Sequence, residues 1–163
     1  MSDNTRLEII TLGDELLLGI RENTHLTYFG KQFTRYGHSI QRNIVIRDDP
    51  DHIERYFSDA MDNSDIVITT GGLGPTTDDI TRETVAQVLK LKLIHDDETE
   101  EAIRARFKSM GREMTENNLR QAKKPDGAEI ITNHHGTAPG LWLQHGGKII
   151  IMLPGPPHEL YPM

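Results

Sequence analysis

The sequence of 163 residues contains no cysteine. This absence excludes disulfide bonds and every metal site that is built from thiolates. No apolar run approaches the ~20 residues that a membrane-spanning helix needs, and residues 1–6 lack the apolar core of a signal peptide. We therefore expect a cytoplasmic protein with no membrane partner.

Positive charge is also scarce. The chain has 18 Lys and Arg against 25 Asp and Glu, with a formal net charge of -7, and no stretch concentrates the cations as a nucleic-acid binder requires. We expect no nucleic-acid partner. An acidic protein that binds a phosphorylated ligand must offset the repulsion with backbone amides, local cations or a bound metal ion.

The length fits one domain over residues 1–163, and apolar periodicity alternates between strand and helix. Short β-branched or apolar runs predict strands at 7–12, 40–46 and 65–70, separated by helices with apolar faces. Later runs at 128–132, 140–144 and 148–153 predict strands, the last two joined as a hairpin across 145–147. The pattern indicates an α/β fold with a mostly parallel sheet and an antiparallel edge.

Three loops follow predicted apolar strands, at 13–19, 71–81 and 154–159. In a parallel sheet they would open on one edge and share a cleft. Asp14 and Glu15, in the first loop, are either a solvated turn or a carboxylate pair at that edge. His25 is interpreted only as a residue in the first turn of the next helix.

The central loop, Gly-Gly-Leu-Gly-Pro-Thr-Thr-Asp-Asp at 71–79, suits a phosphate that is held beside a cation. Its glycines allow close backbone approach, and its carboxylates are the oxygen ligands of a hard metal ion. Asp78 and Asp79 stand where a Walker loop would need Lys-Ser/Thr, and Thr77 stands where the dinucleotide pattern needs its third glycine. Both of those nucleotide loops are excluded.

Several motifs resemble a known family in order along nearly the whole chain. Thr-Thr-Gly-Gly-Leu-Gly-Pro at 69–75 with Asp79 resembles the signature of the molybdopterin-binding fold of MogA-, MoaB- and MoeA-type proteins. Gly-Asp-Glu-Leu-Leu-Leu-Gly at 13–19, the segment 111–118 and Leu-Pro-Gly-Pro-Pro-His-Glu at 153–159 resemble the amino-terminal domain of the CinA (competence/damage-inducible protein A) family.

This resemblance implies a three-layer α/β/α sandwich that associates into a homo-oligomer, a dimer or a trimer. It also implies hydrolysis of ADP-ribose, or a related nucleoside diphosphate derivative, to AMP and ribose 5-phosphate. That hydrolysis depends on a divalent metal ion, Mg or Co, and on potassium. The nicotinamide mononucleotide deamidase of the family belongs to a carboxy-terminal domain that these 163 residues do not contain.

The resemblance and the residue chemistry together give a set of predicted site residues. The predicted catalytic residues are Asp79, Asp78 and Glu15, and the predicted metal ligands are Asp14, Glu15, Asp78 and Asp79. Substrate contacts are predicted for Gly71, Gly72, Gly74, Thr76, Thr77, Asn118, Pro154, Gly155 and Glu159, the first three glycines through their backbone amides. For each acidic or hydroxyl residue a purely structural role, such as capping a helix or closing a turn, remains the alternative.

Two other functions fit the same loops. One is molybdopterin binding in molybdenum cofactor biosynthesis, because that ligand also presents a phosphate. The other is a non-catalytic nucleotide-binding domain that serves as an oligomeric platform. Hydrolysis of ADP-ribose distinguishes the enzyme from both.

Overall fold

The computed structural model describes residues 5–163 and contains a mostly parallel sheet with helices on both faces. The expectation about a signal peptide rests mainly on residues 1–4, which lie outside the described residues. The strands are β1 Leu7–Leu12, β2 Ile40–Ile46, β3 Ile66–Thr70, β4 Leu93–His95, β5 Lys123–Pro125, β6 Glu129–Ile131, β7 Gly140–His145 and β8 Lys148–Leu153. The helices are α1 Asp14–Leu17, α2 His25–Arg35, α3 Pro50–Asn63, α4 Thr81–Val88, α5 Asp97–Ser109 and α6 Pro157–Leu160, with a 3-10 helix at Glu116–Ala122.

The main sheet has the strand order β2-β1-β3-β8-β7-β6. Strands β2, β1, β3 and β8 are parallel to one another, whereas β7 pairs antiparallel with both β8 and β6. The β7–β8 hairpin turns at Gly146 and Gly147, which both have positive φ. The predicted parallel sheet with an antiparallel edge is confirmed.

Both faces of the sheet are covered, as a three-layer sandwich requires. Every residue of β1 is buried, and its side chains alternate between two apolar clusters. Ile10 packs in the cluster that contains Phe57 of α3 and Val85 of α4. Ile9 packs in the opposite cluster with Phe29 of α2. A strand that is buried on both faces shows no apolar–polar alternation, which explains why β1 is mostly apolar, with Glu8 and Thr11 as its only polar residues.

Two local features differ from the sequence prediction. Residues after Gly13 form α1 in place of a plain turn, because Glu15, Leu16 and Leu17 are good helix formers. Residues 123–125, where the sequence predicts no strand, form β5 and pair with β4 in a separate antiparallel two-stranded sheet. Strands of three residues are too short to show a period.

None of the helices in the described part of the chain is long and apolar enough to cross a membrane. The cytoplasmic location and the single domain stay predictions.

Candidate functional site

The three predicted loops meet at one edge of the sheet. Strands β1, β3 and β8 are adjacent and parallel, and their last residues are level, since Thr11 pairs with Thr70 and Thr70 pairs with Leu153. The loops that leave them enclose a cleft of about 410 Å³. Its lining is Leu12, Gly13, Glu15, Leu16, Arg21, Glu22, His25, Asp48, Gly71, Gly72, Leu73, Gly74, Pro75, Asp79, Gln121, Thr137, Ala138, Pro154, Gly155, Pro156, Pro157 and Glu159. The prediction that the loops share a cleft is confirmed.

A larger cavity of about 570 Å³ lies between α5 and the 128–139 segment, and Arg106, Ile103 and Ile130 are among its lining residues. It contains no residue of the three strand-end loops. We take the smaller cleft as the candidate site, because ligands of open α/β sheets bind outside the carboxyl ends of the strands.

The first glycines of the central loop bring the strand ends close together. Gly71 has φ of 101°, and a Cβ there would lie 2.8 Å from the carbonyl oxygen of Leu12. Its N–H donates to the carbonyl oxygen of Leu153 at 2.9 Å. This bond corrects the expectation that the Gly71 amide binds phosphate, because that donor is already used. At Gly72, with φ of 68°, a Cβ would lie 2.0 Å from Thr81 Oγ1, so only glycine fits.

Asp79 fixes the shape of the rest of the loop. Its Oδ2 accepts hydrogen bonds from the Thr76 backbone N–H at 2.9 Å and from Thr76 Oγ1 at 2.5 Å. A Cβ on Gly74 would lie 2.5 Å from the same oxygen, so glycine lets the backbone pass close to the carboxylate. Arg120 donates to the carbonyl oxygens of Thr76 at 2.8 Å and Asp79 at 3.1 Å. Asp79 therefore closes the loop and also lines the cleft.

Negative charge is concentrated in the cleft. Five acidic residues line it, against Arg21 as the one Lys or Arg in the described lining; they are Glu15, Glu22, Asp48, Asp79 and Glu159. Burial is the main cause that raises the pKa of the Asp48 carboxyl, and the negative charges of Glu15, Asp14 and Asp79 raise it further, although the Asp14 N–H bond opposes this. Asp48 is a site residue that the sequence did not reveal, because Asp-Asp-Pro-Asp at 48–51 resembles ordinary loop punctuation before a helix.

Some predicted residues lie outside the lining of the cleft. Asp78, Thr76 and Thr77 are on the exposed side of the loop, and Asp14 is paired with Arg47 at 3.3 Å. Asn118 caps the 3-10 helix, since its Oδ1 accepts from Thr115 N–H at 3.1 Å and from Thr115 Oγ1 at 2.8 Å. This placement corrects the expectation that Asn118 faces the ligand. The predicted Pro154, Gly155 and Glu159 do line the cleft.

The acidic residues suit a metal ion that binds together with a phosphorylated ligand. Among residues 5–163, no group of three or more His, Asp or Glu side chains is placed to hold a metal by itself. Mg²⁺ is commonly held by one or two carboxylates together with water and substrate phosphates. The half-buried carboxylates of Asp48 and Asp79, which repel each other, fit that mode of binding.

His25 links the end of β3 to the loop at 154–159 and is more than a residue of the first helical turn. It is 5% exposed; its Nε2 donates to the carbonyl oxygen of Gly155 at 2.9 Å, and its Nδ1 accepts from Thr70 Oγ1 at 2.9 Å. A carbonyl oxygen only accepts, so this arrangement selects the neutral Nε2–H tautomer. Burial lowers the pKa of His25, although the bond to Gly155 opposes this.

The lowered pKa of His25 predicts a loss of stability in acid. Below the ordinary histidine pKa of about 6.5 the unfolded chain takes up a proton that the folded chain resists, so the contribution of His25 is lost as the pH falls. Between pH 7 and pH 5 we expect the free energy of unfolding, measured with urea, to fall more steeply for the native protein than for His25→Gln. His135→Gln, at an exposed histidine, should keep the native slope. Equal slopes for the native protein and His25→Gln would contradict this assignment.

Exposed apolar side chains stand next to the cleft. Leu17 is 50% exposed, and Leu18 and Ile20 are each 72% exposed. Such a group is common at protein interfaces, but the homo-oligomer stays a prediction.

Comparison with known structures identifies relatives of the fold. Residues 8–163 match a family model described as "Probable molybdopterin binding domain". The chain is similar to the crystal structure of the protein CinA from Thermoplasma acidophilum, with 38% identity and a TM-score of 0.87 over 96% of this chain and 91% of that one. It shares its fold with the molybdopterin biosynthesis enzyme MoaB of Thermus thermophilus, at 18% identity and a TM-score of 0.62 over 96% of this chain and 85% of that one.

Curated relatives carry related names. The chain is 45% identical over 158 residues to a "CinA-like protein" of Kosmotoga olearia and 44% identical over 158 residues to a "Putative competence-damage inducible protein" of Clostridium acetobutylicum. Each match covers 97% of this chain and 38% of the relative. The chain therefore spans well under half the length of these curated relatives.

Proposed function

The chain belongs to the family of probable molybdopterin binding domains and, within it, to the CinA-type proteins, and on that premise we propose that it hydrolyses the pyrophosphate of ADP-ribose or a related nucleoside diphosphate derivative. The products are AMP and ribose 5-phosphate. The reaction requires a divalent metal ion, Mg or Co, and potassium.

One observation carries the proposal: carboxylates surround a cleft whose central wall is a glycine loop. Glu15, Asp48, Asp79 and Glu159 line the same cavity as Gly72 and Gly74. Burial raises the pKa of Asp48, and the negative charges of Glu15, Asp14 and Asp79 raise it further. A pyrophosphate is also negative, and Arg21 is the one Lys or Arg among the described residues of the lining. A bound cation would offset the remaining repulsion between the ligand and these carboxylates.

The residues of the cleft then have separate roles. Gly72 and Gly74 line the cleft, and we assign the contact with the phosphates to their backbone. A Cβ at either position would collide with Thr81 or Asp79, so glycine is needed there for the loop to keep this shape. Asp79, Glu15 and Asp48 would hold the metal ion directly or through water. When bound, that ion supplies charge neutralisation and a lowered pKa for the attacking water.

The bond changes in this reaction balance without another reactant. The water oxygen forms a bond to one phosphorus, and the bond from that phosphorus to the bridging oxygen breaks. The bridging oxygen leaves on the other phosphate, and the protons of the water are shared between products and solvent. The carboxylates of the cleft are suitable acceptors for the proton that the water releases.

The assay follows directly. The protein is incubated with ADP-ribose, potassium and either Mg or Co, and AMP is separated by chromatography. We expect AMP to form, to disappear when EDTA is added and to return when excess metal ion is restored. Absence of AMP with each metal ion would overturn the proposal.

Molybdopterin binding is the second candidate function. The family model itself favours it, since its description names that ligand and it covers residues 8–163. The same glycine loop would receive the phosphate of molybdopterin. Tight binding of molybdopterin without hydrolysis of ADP-ribose would favour this function, whereas nucleotide binding without turnover would favour a non-catalytic domain.

A further inference from the structure

Gln121 is a polar side chain in the floor of the cleft that has no partner in the protein. It is 1% exposed, and it lines the cleft together with Asp79, Gly72 and Gly74. Within residues 5–163, neither its Nε2 nor its Oε1 has a hydrogen-bond partner. Buried amides in native proteins are almost always paired, so an unpaired one requires an explanation.

The backbone around Gln121 is held in place on both sides. Arg120 donates to the carbonyl oxygens of Thr76 and Asp79, which connects the 3-10 helix to the glycine loop. On the other side, the carbonyl oxygen of Ala122 accepts from the Asp96 N–H at 2.8 Å. Gln121 is therefore fixed beside the loop that would receive the phosphates.

The chemistry of an amide complements the other groups of the cleft. Carboxylates and phosphates only accept hydrogen bonds when they are ionised, so a side-chain donor beside the metal ion can bind a phosphoryl oxygen that the ion leaves free. The Nε2 group of glutamine donates two hydrogens, and Oε1 accepts one from a water molecule. An amide supplies both without adding to the negative charge.

We propose that Gln121 is a binding and positioning residue that donates from Nε2 to a phosphoryl oxygen of the ligand and accepts from the attacking water at Oε1. The proposal rests on the hydrolysis proposed above, and it adds a residue that the family resemblance did not supply. It also gives the buried amide a role, because a bound ligand would provide the partners that residues 5–163 do not provide.

The test is Gln121→Met, which has a similar length and no hydrogen-bonding group. Replacing an unpaired buried amide by an apolar side chain of similar shape is neutral or stabilising for the fold, so the melting temperature should stay equal or rise. The affinity for inorganic pyrophosphate with Mg, measured by calorimetry, should fall about tenfold or more, because a hydrogen bond to a charged group is lost. Gln144→Met, at an exposed glutamine of β7, should change neither quantity.

Each outcome decides the proposal. A lower melting temperature with unchanged pyrophosphate affinity would show that the amide has a structural role, and would overturn it. Failure of the native protein to bind pyrophosphate would also overturn the proposal. If Gln121→Met lost affinity for ADP-ribose but kept its affinity for pyrophosphate, Gln121 would contact another part of the ligand, and the proposal would again be overturned. If the native protein binds pyrophosphate but forms no AMP, and Gln121→Met loses the binding, the phosphate contact stands and the proposed hydrolysis falls. Equal kcat and KM for an active native protein and Gln121→Met would remove this inference and leave the proposed hydrolysis intact.

Discussion

Asp79→Asn is expected to lower kcat/KM for ADP-ribose at least about 100-fold, the scale of losing one group that stabilises charge in the transition state. Asparagine keeps the size of the side chain and an oxygen that can accept from Thr76 N–H and Oγ1, so the loop should keep its shape. What is lost is the negative charge that would hold the metal ion. AMP formation under saturating Mg and potassium measures the effect, with the melting temperature as a check on folding.

Asp78→Asn is the matched control, because the sequence predicts Asp78 as a catalytic residue and metal ligand but its position outside the cleft argues against both roles. Asp78 is the next residue in the sequence and has the same charge, but it is exposed and lies outside the lining of the cleft. We expect its kcat/KM to stay within about threefold of the native value, since exposed charges are screened by water and salt. Equal losses for the two variants would show that net charge, and not the position of Asp79 in the cleft, controls the activity.

The sheet and its cleft could be predicted because their causes are local. Apolar runs such as that of β1 follow from burial on both faces of a parallel sheet. The glycines of the central loop mark positions where the backbone has positive φ or where a side chain would collide, as at Gly72 against Thr81. Loops that follow parallel strands must leave at the same edge, and so the site could be located in outline.

The other site residues could not be predicted, because tertiary contacts bring them to the cleft. Asp48 follows β2, which pairs with β1, and only the folded sheet places it near Glu15 and Asp79. Gln121 depends on the bonds from Arg120 to the central loop. His25 has hydrogen bonds to residues 45 and 130 positions away. No spacing in the sequence indicates these contacts.

Some motif residues have a local structural role and no ligand contact that the structure supports. Asn118 lies in a motif of the CinA family, but its hydrogen bonds cap the 3-10 helix. Gly71 lies in the glycine loop, but its N–H is used by β8. A residue can belong to a family motif because the fold requires it, so its presence in the motif does not show that it contacts the ligand.

The helix behind the central loop contains a buried charge whose removal tests how the site is supported. Arg82 of α4 is 1% exposed and donates from Nη2 to Glu83 Oε1 at 3.1 Å, and Arg120 donates to the same oxygen at 3.1 Å. Burial is the main cause that lowers the pKa of Arg82, and the negative charge of Glu83 opposes it. Arg120 also contacts the loop at Thr76, so this ion network connects α4 to the cleft.

Glu83→Gln is expected to lower the free energy of unfolding by about 3 kcal/mol, because it leaves the Arg82 charge buried without its counter-charge. Arg82→Met is expected to change it by less than about 1 kcal/mol, since a buried ion is replaced by an apolar side chain and Glu83 keeps Arg120 as its partner. Urea unfolding at pH 7 measures both, and an unchanged m-value shows that the same surface is exposed in each variant. If Arg82→Met were the more destabilising of the two, Arg82 would stabilise α4 through contacts other than its ion pair with Glu83. The negative charge of Glu83 would then not be the main stabilising feature of this network.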